Sequence, residues 1–505
     1  MDLRTSNANW IGILAIIVLA SALAGAQVPS SSEAQLQLAD VYMGRMQFQE
    51  ALIAYRVARD SDNPNVRLRA GAGSVQALLR LSRYREATLE GESVASRDPS
   101  MAAAIAIHAD TLWAAGWLSD AEARYDHALR LDPGDPRALH GRARSLAARG
   151  QFDRAIEAVN GAIAAAPREP VYYYTLSSIY ERRPEFDRAA DTLATYLRLL
   201  PAEDDREPTR WAQRQERFLR TFEGRTPMEM ATRGSTFVVP IRVEDGRVLV
   251  TGRVNGSTRV SFALDTGADQ TLLTPAVAHN AGVVPAVPLE SAGIGGTEDR
   301  FRGLQIGRAD EIAIGPFAMR NVPVVIKSPA LTGLPRPEGA AFSPLALGWS
   351  LVIDYRRKSL TLARRLPEPT SPIRLPLYLH RLPIVSATVN GMARGSFVID
   401  TASDGSALSH RLVEELPVDP RVPRVPARVY GSAGWDQTAF LLPYVDLDVA
   451  RGIGLSRRAL VVLNLDAPSA LLGFRLGGII GQELLMRYIV TIDLVRSEVG
   501  LRPIE

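Results

Sequence analysis

Cysteine is absent from all 505 residues of this chain. Its absence excludes disulfides, thiolate nucleophiles, cysteine-based zinc sites and a lipid anchor on an N-terminal cysteine. Lysine occurs only at positions 327 and 358, so arginine supplies nearly all of the positive charge. The 58 basic residues are balanced by 55 acidic ones, and no arginine cluster is interleaved with aromatic residues. We therefore predict no nucleic-acid partner.

Two further catalytic patterns are missing. The six histidines lack the spacing of metal ligands, and no Gly-x-Ser-x-Gly turn is present. We therefore expect neither a metallohydrolase nor a serine hydrolase. No cofactor and no bound metal are expected.

The first 26 residues have the pattern of a secretory signal peptide. Arg4 precedes an apolar run from Trp10 to Leu23, and small residues follow up to Ala26, where cleavage is expected. An uncleaved membrane anchor is the alternative, because the run approaches the ~17–25 residues that span a bilayer. Both interpretations predict an exported protein, periplasmic or extracellular, that stays membrane-anchored if the segment is kept.

The first half of the chain repeats itself with a period of about 34 residues. A small residue recurs once in each unit, and in most units a large side chain stands three positions before it. Each unit closes near a proline, and glycines 116 and 150 mark turns. The small residues are Ala51, Ala87, Ala121, Ala155 and Ala189, and the prolines are Pro64, Pro99, Pro133, Pro167 and Pro201. This pattern resembles the tetratricopeptide repeat over residues 33–201.

The resemblance implies helical hairpins that stack into a solenoid with a concave surface. A small residue lets two helices cross closely, and a proline ends a helix because it lacks the N–H donor. Residues 202–233 are expected to form a capping helix and a linker. We expect a protein partner on the concave face, and no catalysis in this half.

After Gly234, valine and isoleucine alternate with polar residues, which predicts β-strands. Within this half, residues 254–269 and 389–404 are similar to each other at a constant offset of 135 positions. Each stretch opens with an Asn-Gly pair, a strong hairpin signal, and continues into an apolar strand. The first strand ends at Asp265-Thr266 and the second at Asp400-Thr401.

These motifs resemble the retropepsin-like aspartic peptidases. The first copy is assigned to residues 234–366 and the second to residues 367–505, and each has an Ile-Asp strand near its end. The predicted fold is therefore an all-α tetratricopeptide solenoid followed by an all-β, bilobal pepsin/retropepsin-like unit. Two copies on one chain predict a catalytic monomer, although each copy pairing with its equivalent in a second chain is the alternative.

The resemblance also implies a role for individual residues. Asp265 and Asp400 would be the catalytic pair, and glycine-rich flaps would cover a polypeptide substrate. Expected to support the active-site loops are Thr266, Gly267, Thr401, Ala402 and Gly481, and expected in the flaps are Ile294, Gly295, Gly296 and Trp435.

Paired carboxylates suit peptide hydrolysis. Two carboxylates about 3 Å apart cannot both ionise, so they share one proton. The ionised member can take a proton from water while the protonated member donates to the scissile carbonyl. The sequence thus predicts an aspartic endopeptidase.

The sequence departs from the family pattern in each copy. Ala402 replaces the preferred glycine, which costs roughly 1–2 kcal/mol if φ is positive there. Counting back from Asp354 places Phe342 at the position of Gly481. Two alternatives therefore stay open: a degenerate cleft that only binds peptides, and a scaffold in which the repeats carry the function.

Overall fold

A computed structural model of the chain describes residues 31–201, 207–256, 258–288, 304–327, 339–368, 371–417, 422–431 and 434–504. They form two compact units, one ending at Thr111 and the other beginning at Leu112. The predicted signal peptide lies outside the described residues. Among the helices that are described, none is long and apolar enough to cross a membrane.

The first half is helical, as the period of 34 residues predicts. The five recurring alanines are all fully buried, and Gly116 and Gly150 have φ values of +79° and +68° in turns between helices. Pro64 differs from the prediction, because it is the first residue of a helix. The helices are α1 (Ser31–Gly44), α2 (Phe48–Ala58), α3 (Pro64–Arg80), α4 (Tyr84–Arg97), α5 (Ala102–Ala114), α6 (Leu118–Leu131), α7 (Pro136–Ala148), α8 (Phe152–Ala165), α9 (Pro170–Arg182), α10 (Phe186–Leu199) and α11 (Glu207–Arg220).

Helix α11 joins the repeats to the β-rich half. Its residue Phe218 and the following Phe222 are buried in one apolar cluster with Val287 and Ile306 of the β-rich half. Phe222 also meets the ring of Phe186 edge-on, with 4.9 Å between the ring centroids. The segment expected to be a cap and linker therefore packs against both of its neighbours.

A closed six-stranded barrel follows, formed in the order β4–β5–β10–β6–β9–β8 with β8 pairing back to β4. The elements of this part are β1 (Glu229–Met230), β2 (Thr236–Pro240), β3 (Arg242–Glu244), β4 (Arg247–Val254), β5 (Thr258–Leu264), β6 (Thr271–Leu273), α12 (Pro275–Asn280), β7 (Val284–Pro288), β8 (Gln305–Ile314), β9 (Phe317–Ile326), β10 (Ala340–Phe342), β11 (Ser350–Asp354) and β12 (Ser359–Ala363). Strands β5 and β10 run parallel.

A second closed barrel has the equivalent order β15–β16–β23–β17–β22–β21, with β21 pairing back to β15. The elements of this part are β13 (Ile373–Pro376), β14 (Tyr378–His380), β15 (Leu382–Val389), β16 (Ala393–Ile399), β17 (Ala407–Ser409), α13 (His410–Val413), β18 (Val425–Pro426), β19 (Val429–Gly431), β20 (Gly434–Asp436), β21 (Phe440–Ala450), β22 (Ile453–Leu463), α14 (Asp466–Leu472), β23 (Leu476–Ile480), α15 (Gln482–Leu485), β24 (Tyr488–Asp493) and β25 (Glu498–Pro503). Strands β16 and β23 run parallel, as β5 and β10 do.

A shared sheet joins the two barrels. Its order is β13–β25–β24–β11–β12–β2, so three of its strands come from each half of the β-rich region. At the junction, Leu351 pairs with Ile492 and Ile353 with Val490. The barrels are therefore held as two lobes of one bilobal unit.

The two Asn-Gly pairs form the predicted hairpin turns. Asn255 and Asn390 have φ values of +50° and +52°, and Gly256 and Gly391 have φ values of +74° and +65°. Each asparagine side chain accepts a backbone hydrogen bond from the strand that closes its barrel, β8 or β21. This geometry requires positive φ at both turn residues, which Asn and Gly tolerate best.

Candidate active site

Asp265 and Asp400 occupy equivalent positions in the two barrels. Each aspartate directly follows a strand, β5 or β16, which is paired in parallel with β10 or β23. The backbone N–H of Asp265 donates to the carbonyl of Phe342 at 2.9 Å, and that of Asp400 donates to Ile480 at 3.0 Å. The same backbone contact therefore fixes both carboxylates at the ends of their strands.

Thr266 and Thr401 brace the two loops against each other. Each hydroxyl accepts a hydrogen bond from the backbone N–H of the other threonine at 3.1 Å. The Thr266 hydroxyl donates to the carbonyl of Ile399 at 2.6 Å, and the Thr401 hydroxyl donates to that of Leu264 at 2.7 Å. Both threonines are fully buried. These four hydrogen bonds bring the two aspartates together within one chain.

Gly267 lies directly against the opposite carboxylate. A Cβ at this position would stand 2.5 Å from Asp400 Cγ and 2.7 Å from both of its carboxylate oxygens. Contacts this short do not occur between a Cβ and other atoms, so no side chain fits there. The glycine is required by the close approach of Asp400, since its φ lies outside the left-handed region.

Backbone N–H groups of each loop bind the carboxylate of the same loop. The N–H of Ala402 donates to Asp400 Oδ1 at 2.8 Å, and Ser403 contributes a second hydrogen bond. Gly267 and Ala268 contribute the equivalent pair to Asp265. These donors orient the carboxylates and stabilise their ionised forms.

The pKa of both carboxyl groups is nevertheless raised. Burial, followed by the negative charge of Asp400, raises the pKa of Asp265 to about 8. Burial is also the largest cause that raises the pKa of Asp400, and its loop N–H groups oppose it. Two neighbouring acids that cannot ionise together titrate as one pair that holds a shared proton.

One oxygen of Asp265 has no hydrogen-bond donor from the described residues. Asp265 Oδ1 is inaccessible to solvent, and no described residue forms a hydrogen bond with it. A buried carboxylate oxygen without a partner is costly, and such atoms concentrate at functional sites.

Ala402 is compatible with its position. Its φ lies outside the left-handed region, so the strain considered above for a Cβ does not arise. The alanine keeps the one backbone function that its carboxylate needs, because its N–H donates to Asp400. The replacement of glycine therefore leaves this loop intact.

The predicted equivalence of Phe342 and Gly481 is wrong by one residue. Phe342 pairs with Leu264 in the first barrel as Ile480 pairs with Ile399 in the second, so Ser343 is the true counterpart of Gly481. Counting back from Asp354 fails because the segment that follows is one residue shorter in the first barrel than in the second.

Ser343 replaces a backbone donor that the first barrel lacks. In the second barrel the N–H of Gln482 donates to the carbonyl of Ser403 at 2.9 Å. The equivalent of Gln482 is Pro344, which has no N–H. The hydroxyl of Ser343 donates instead to the carbonyl of Ala268, the counterpart of Ser403, at 2.6 Å. Gly481 cannot carry a side chain, since a Cβ would lie 2.2 Å from the carbonyl of Gly405.

Sequence reasoning also missed a buried link beneath the second loop. The side-chain amide of Gln482 donates to the carbonyl of Thr401 at 2.7 Å, and its oxygen accepts from the Tyr355 hydroxyl at 2.8 Å. Tyr355 follows strand β11, which belongs to the first copy of the β-rich region. The hydrogen bonds through Gln482 therefore also link the two lobes. The only available signal was that Gln482 directly follows Gly481.

Of the residues predicted to lie in the flaps, the structure describes only Trp435. Ile294, Gly295 and Gly296 lie outside the described residues, but the flanking strands β7 and β8 pair antiparallel from Val284 to Pro288. Trp435 lies in strand β20, which forms a two-stranded hairpin with β19. The structure therefore provides a hairpin at the predicted place in the second half.

Comparisons with known proteins agree with both parts of the sequence prediction. Residues 250–350 match the family model described as Aspartyl protease, and residues 112–179 match that of the tetratricopeptide repeat. No curated protein is similar enough to the chain to count as a relative.

Solved structures similar to about a third of this chain include tetratricopeptide repeat proteins. A thermophilic TPR protein of Thermus thermophilus is 19% identical, covers 36% of this chain and 99% of its own, and gives a TM-score of 0.31. MamA from Desulfovibrio magneticus is 18% identical, covers 35% of this chain and 100% of its own, and gives a TM-score of 0.25. YrrB, described as a TPR protein with an unusual peptide-binding site, is 17% identical, covers 34% of this chain and 86% of its own, and gives a TM-score of 0.23. The chain thus resembles aspartyl proteases over residues 250–350 and tetratricopeptide repeat proteins over residues 112–179.

Proposed function

We propose that residues 234–503 form an aspartic endopeptidase in which Asp265 and Asp400 activate a water molecule. The observation that supports this most directly is the reciprocal hydrogen bonding of Thr266 and Thr401, which presents the two carboxylates to each other. The raised pKa of both acids supports a shared proton at neutral pH.

The chemistry needs no group beyond these two acids and water. The ionised carboxylate takes a proton from water, whose oxygen attacks the scissile carbonyl carbon. The protonated carboxyl donates its proton to the carbonyl oxygen, which gives a tetrahedral diol. When the C–N bond breaks, the carboxyl that took the water proton donates it to the leaving nitrogen. The other carboxylate takes a proton from a diol hydroxyl as the C=O bond of the new carboxyl group forms, so the pair again holds one proton.

The test is cleavage of an unfolded protein such as casein by the purified full chain. We expect new peptide termini by mass spectrometry, and inhibition by pepstatin-type compounds. Asp265→Asn and Asp400→Asn should each lower kcat/KM by about 10³-fold or more, because neither leaves one ionised and one protonated acid. Asp310→Asn, an exposed control in the same half, should behave as wild type.

Peptide binding without cleavage, unchanged in Asp265→Asn, would instead identify a non-catalytic peptide-binding protein. Loss of partner capture after substitutions in the repeats, with no cleavage in any variant, would identify a scaffold. Circular dichroism of each variant separates these outcomes from misfolding.

We further propose that the catalytic unit is a monomer. Both aspartates come from one chain, and their loops are linked by hydrogen bonds within that chain. Specific activity should therefore not depend on protein concentration, and sedimentation should give the monomer mass of about 55 kDa. Activity that falls on dilution would show that a second chain is required.

Export and recruitment complete the proposal. The pattern of residues 1–26 supports an exported protein, and cell fractionation with N-terminal sequencing distinguishes a removed signal from a retained anchor. The first unit supports recruitment of polypeptide substrates, because it exposes aliphatic side chains at Ile53 (59%), Val57 (53%) and Leu89 (57%). Replacing these residues by Glu should raise KM for casein and leave cleavage of a short peptide unchanged.

A further inference from the structure

The hairpin formed by β14 and β15 lies against the repeat helices. The Tyr378 hydroxyl accepts a hydrogen bond from Arg149 at 2.6 Å and lies 3.1 Å from Ser119 and Glu122. The ring of His380 meets that of Trp113 edge-on, with 5.9 Å between the centroids. The repeat helices thus receive a segment of the β-rich half of the same unit.

Arg381 is the turn residue of this hairpin, with a φ of +61°. Its guanidinium carbon lies 5.2 Å from the ring centroid of Trp211 in α11, which is cation–π distance. It also forms a hydrogen bond with Tyr174 and faces the carboxylate of Glu181, both in α9. The side chain is only 22% exposed, so the repeats hold it in place.

On its other side, Arg381 contacts the catalytic loop of the first barrel. Its Nη1 lies 3.3 Å from Asp269 Oδ2 and donates to it. Asp269 belongs to the same loop as Asp265, four residues further along the chain. A single side chain therefore links the repeat helices to the loop that carries one candidate catalytic acid.

The equivalent contact in the other lobe is looser. Asp404, the counterpart of Asp269, lies 3.8 Å from Arg247, and its side chain is 69% exposed compared with 37% for Asp269. An ion pair this exposed contributes little to stability, whereas the pair formed by Arg381 is shielded by aromatic rings. Only the first barrel's loop thus has a shielded arginine clamp among the described residues.

We propose that Arg381, held by Trp211, Tyr174 and Glu181 of the repeats, is a positioning residue that fixes the Asp265 loop for catalysis. The repeat helices then form part of the working peptidase as well as a surface for recruitment. This inference rests on the proposed function, and it acts through Asp269, without contact between Arg381 and the reacting atoms.

The clamp also has an electrostatic effect. The negative charge of Asp269 raises the pKa of Asp265, and Arg381 forms an ion pair with that charge. The other charged or titratable groups facing Arg381 are Tyr174, Glu181, Arg182 and His380. Removing the positive charge should therefore raise the pKa of Asp265 further and move the alkaline limit of activity to higher pH.

The experiment compares full-chain variants on one peptide substrate across pH. Arg381→Gln and Trp211→Ala should each lower kcat/KM by about 10- to 100-fold, mainly through kcat, because the loop loses its support. Trp211→Phe should restore most of the loss, since it keeps an aromatic face for the guanidinium. In Arg381→Gln alone, the alkaline limb should move to higher pH.

Arg188→Gln is the matched control. The guanidinium carbon of Arg188 lies 4.1 Å from the ring centroid of Tyr180, so Arg188→Gln removes the same kind of contact within the repeats. Its kcat/KM should stay within about twofold of wild type.

If Arg381→Gln and Trp211→Ala also stay within twofold while Asp265→Asn abolishes cleavage, the positioning role is wrong and the proposed function stands. A lower kcat with a lower Tm but an unmoved pH limb would likewise overturn it, as a merely structural effect. Cleavage that survives in Asp265→Asn would overturn the proposed function itself.

Discussion

The hydroxyls of Thr266 and Thr401 each accept a hydrogen bond from the backbone N–H of the other threonine, at 3.1 Å in both cases. Each hydroxyl also donates to a carbonyl of the opposite strand, so one side chain satisfies two buried backbone groups at once. Removing either hydroxyl leaves a donor and an acceptor buried without partners.

Thr266→Ala and Thr401→Ala should therefore each destabilise the fold by about 1–3 kcal/mol and lower kcat/KM by about 10-fold or more. Thr→Ser at either position keeps the hydroxyl and should keep activity close to wild type. Urea unfolding and peptide kinetics measure both effects. Equal losses from Thr→Ser and Thr→Ala would assign the effect to packing of the methyl group, against the hydrogen-bond explanation.

Gly267 and Ala402 occupy equivalent positions but should respond differently to exchange. Gly267→Ala places a methyl group 2.5 Å from Asp400 Cγ, so the carboxylate must move. Activity should then fall by about 100-fold or more. Ala402→Gly removes a methyl group and keeps the N–H that binds Asp400, so activity should persist with a stability loss of up to about 1 kcal/mol. A tolerated Gly267→Ala would contradict the close approach of the two loops.

The sequence was sufficient to predict the paired loops, because these depend on local signals. The Asn-Gly turns, the apolar strands after them and the Asp-Thr pairs recur at one offset, and each is a short-range pattern with a known conformation. The helical repeats were predictable for the same reason, since Ala51 and its four equivalents mark a fixed period.

Contacts over long sequence distances were not predictable. The counterpart of Gly481 was misplaced because register depends on pairing between β5 and β10, whereas counting through a connection of unequal length shifts it by one residue. Arg381 and Trp211 are separated by 170 positions, and no periodic pattern connects them. The exchange of a backbone donor for the Ser343 hydroxyl becomes visible only when Pro344 is placed in space.

Ser343 offers a test of that exchange. Ser343→Ala should destabilise the chain by about 1–3 kcal/mol, because the carbonyl of Ala268 loses its donor in a partly buried site. The double variant Ser343→Gly/Pro344→Ala reproduces the Gly-then-N–H arrangement of the second barrel. It should recover most of the loss, less the roughly 0.4–1 kcal/mol that proline contributes through the unfolded state. Chemical denaturation of both variants measures the difference.

The control is Pro344→Ala alone, which supplies the N–H while Ser343 still satisfies Ala268. It should change stability only by the proline contribution. If the double variant is less stable than Ser343→Ala, the serine hydroxyl does not substitute for the missing backbone donor.

The raised pKa of Asp265 makes stability and activity depend on pH in a defined direction. Because burial and Asp400 raise this pKa to about 8, the folded chain favours protonated Asp265. That stabilisation is complete below the unfolded pKa of about 3.9 and is lost as pH rises through about 8.

The Tm of wild type should therefore fall relative to that of Asp265→Asn between pH 5 and 9, by about 2–4 °C for each kcal/mol. Wild-type cleavage should decline over the upper part of this range, because the pair loses its proton donor. Glu223→Gln, an exposed control, should follow the wild-type Tm curve. Parallel curves for Asp265→Asn and wild type at every pH would show that Asp265 titrates at its ordinary pKa and carries no shared proton.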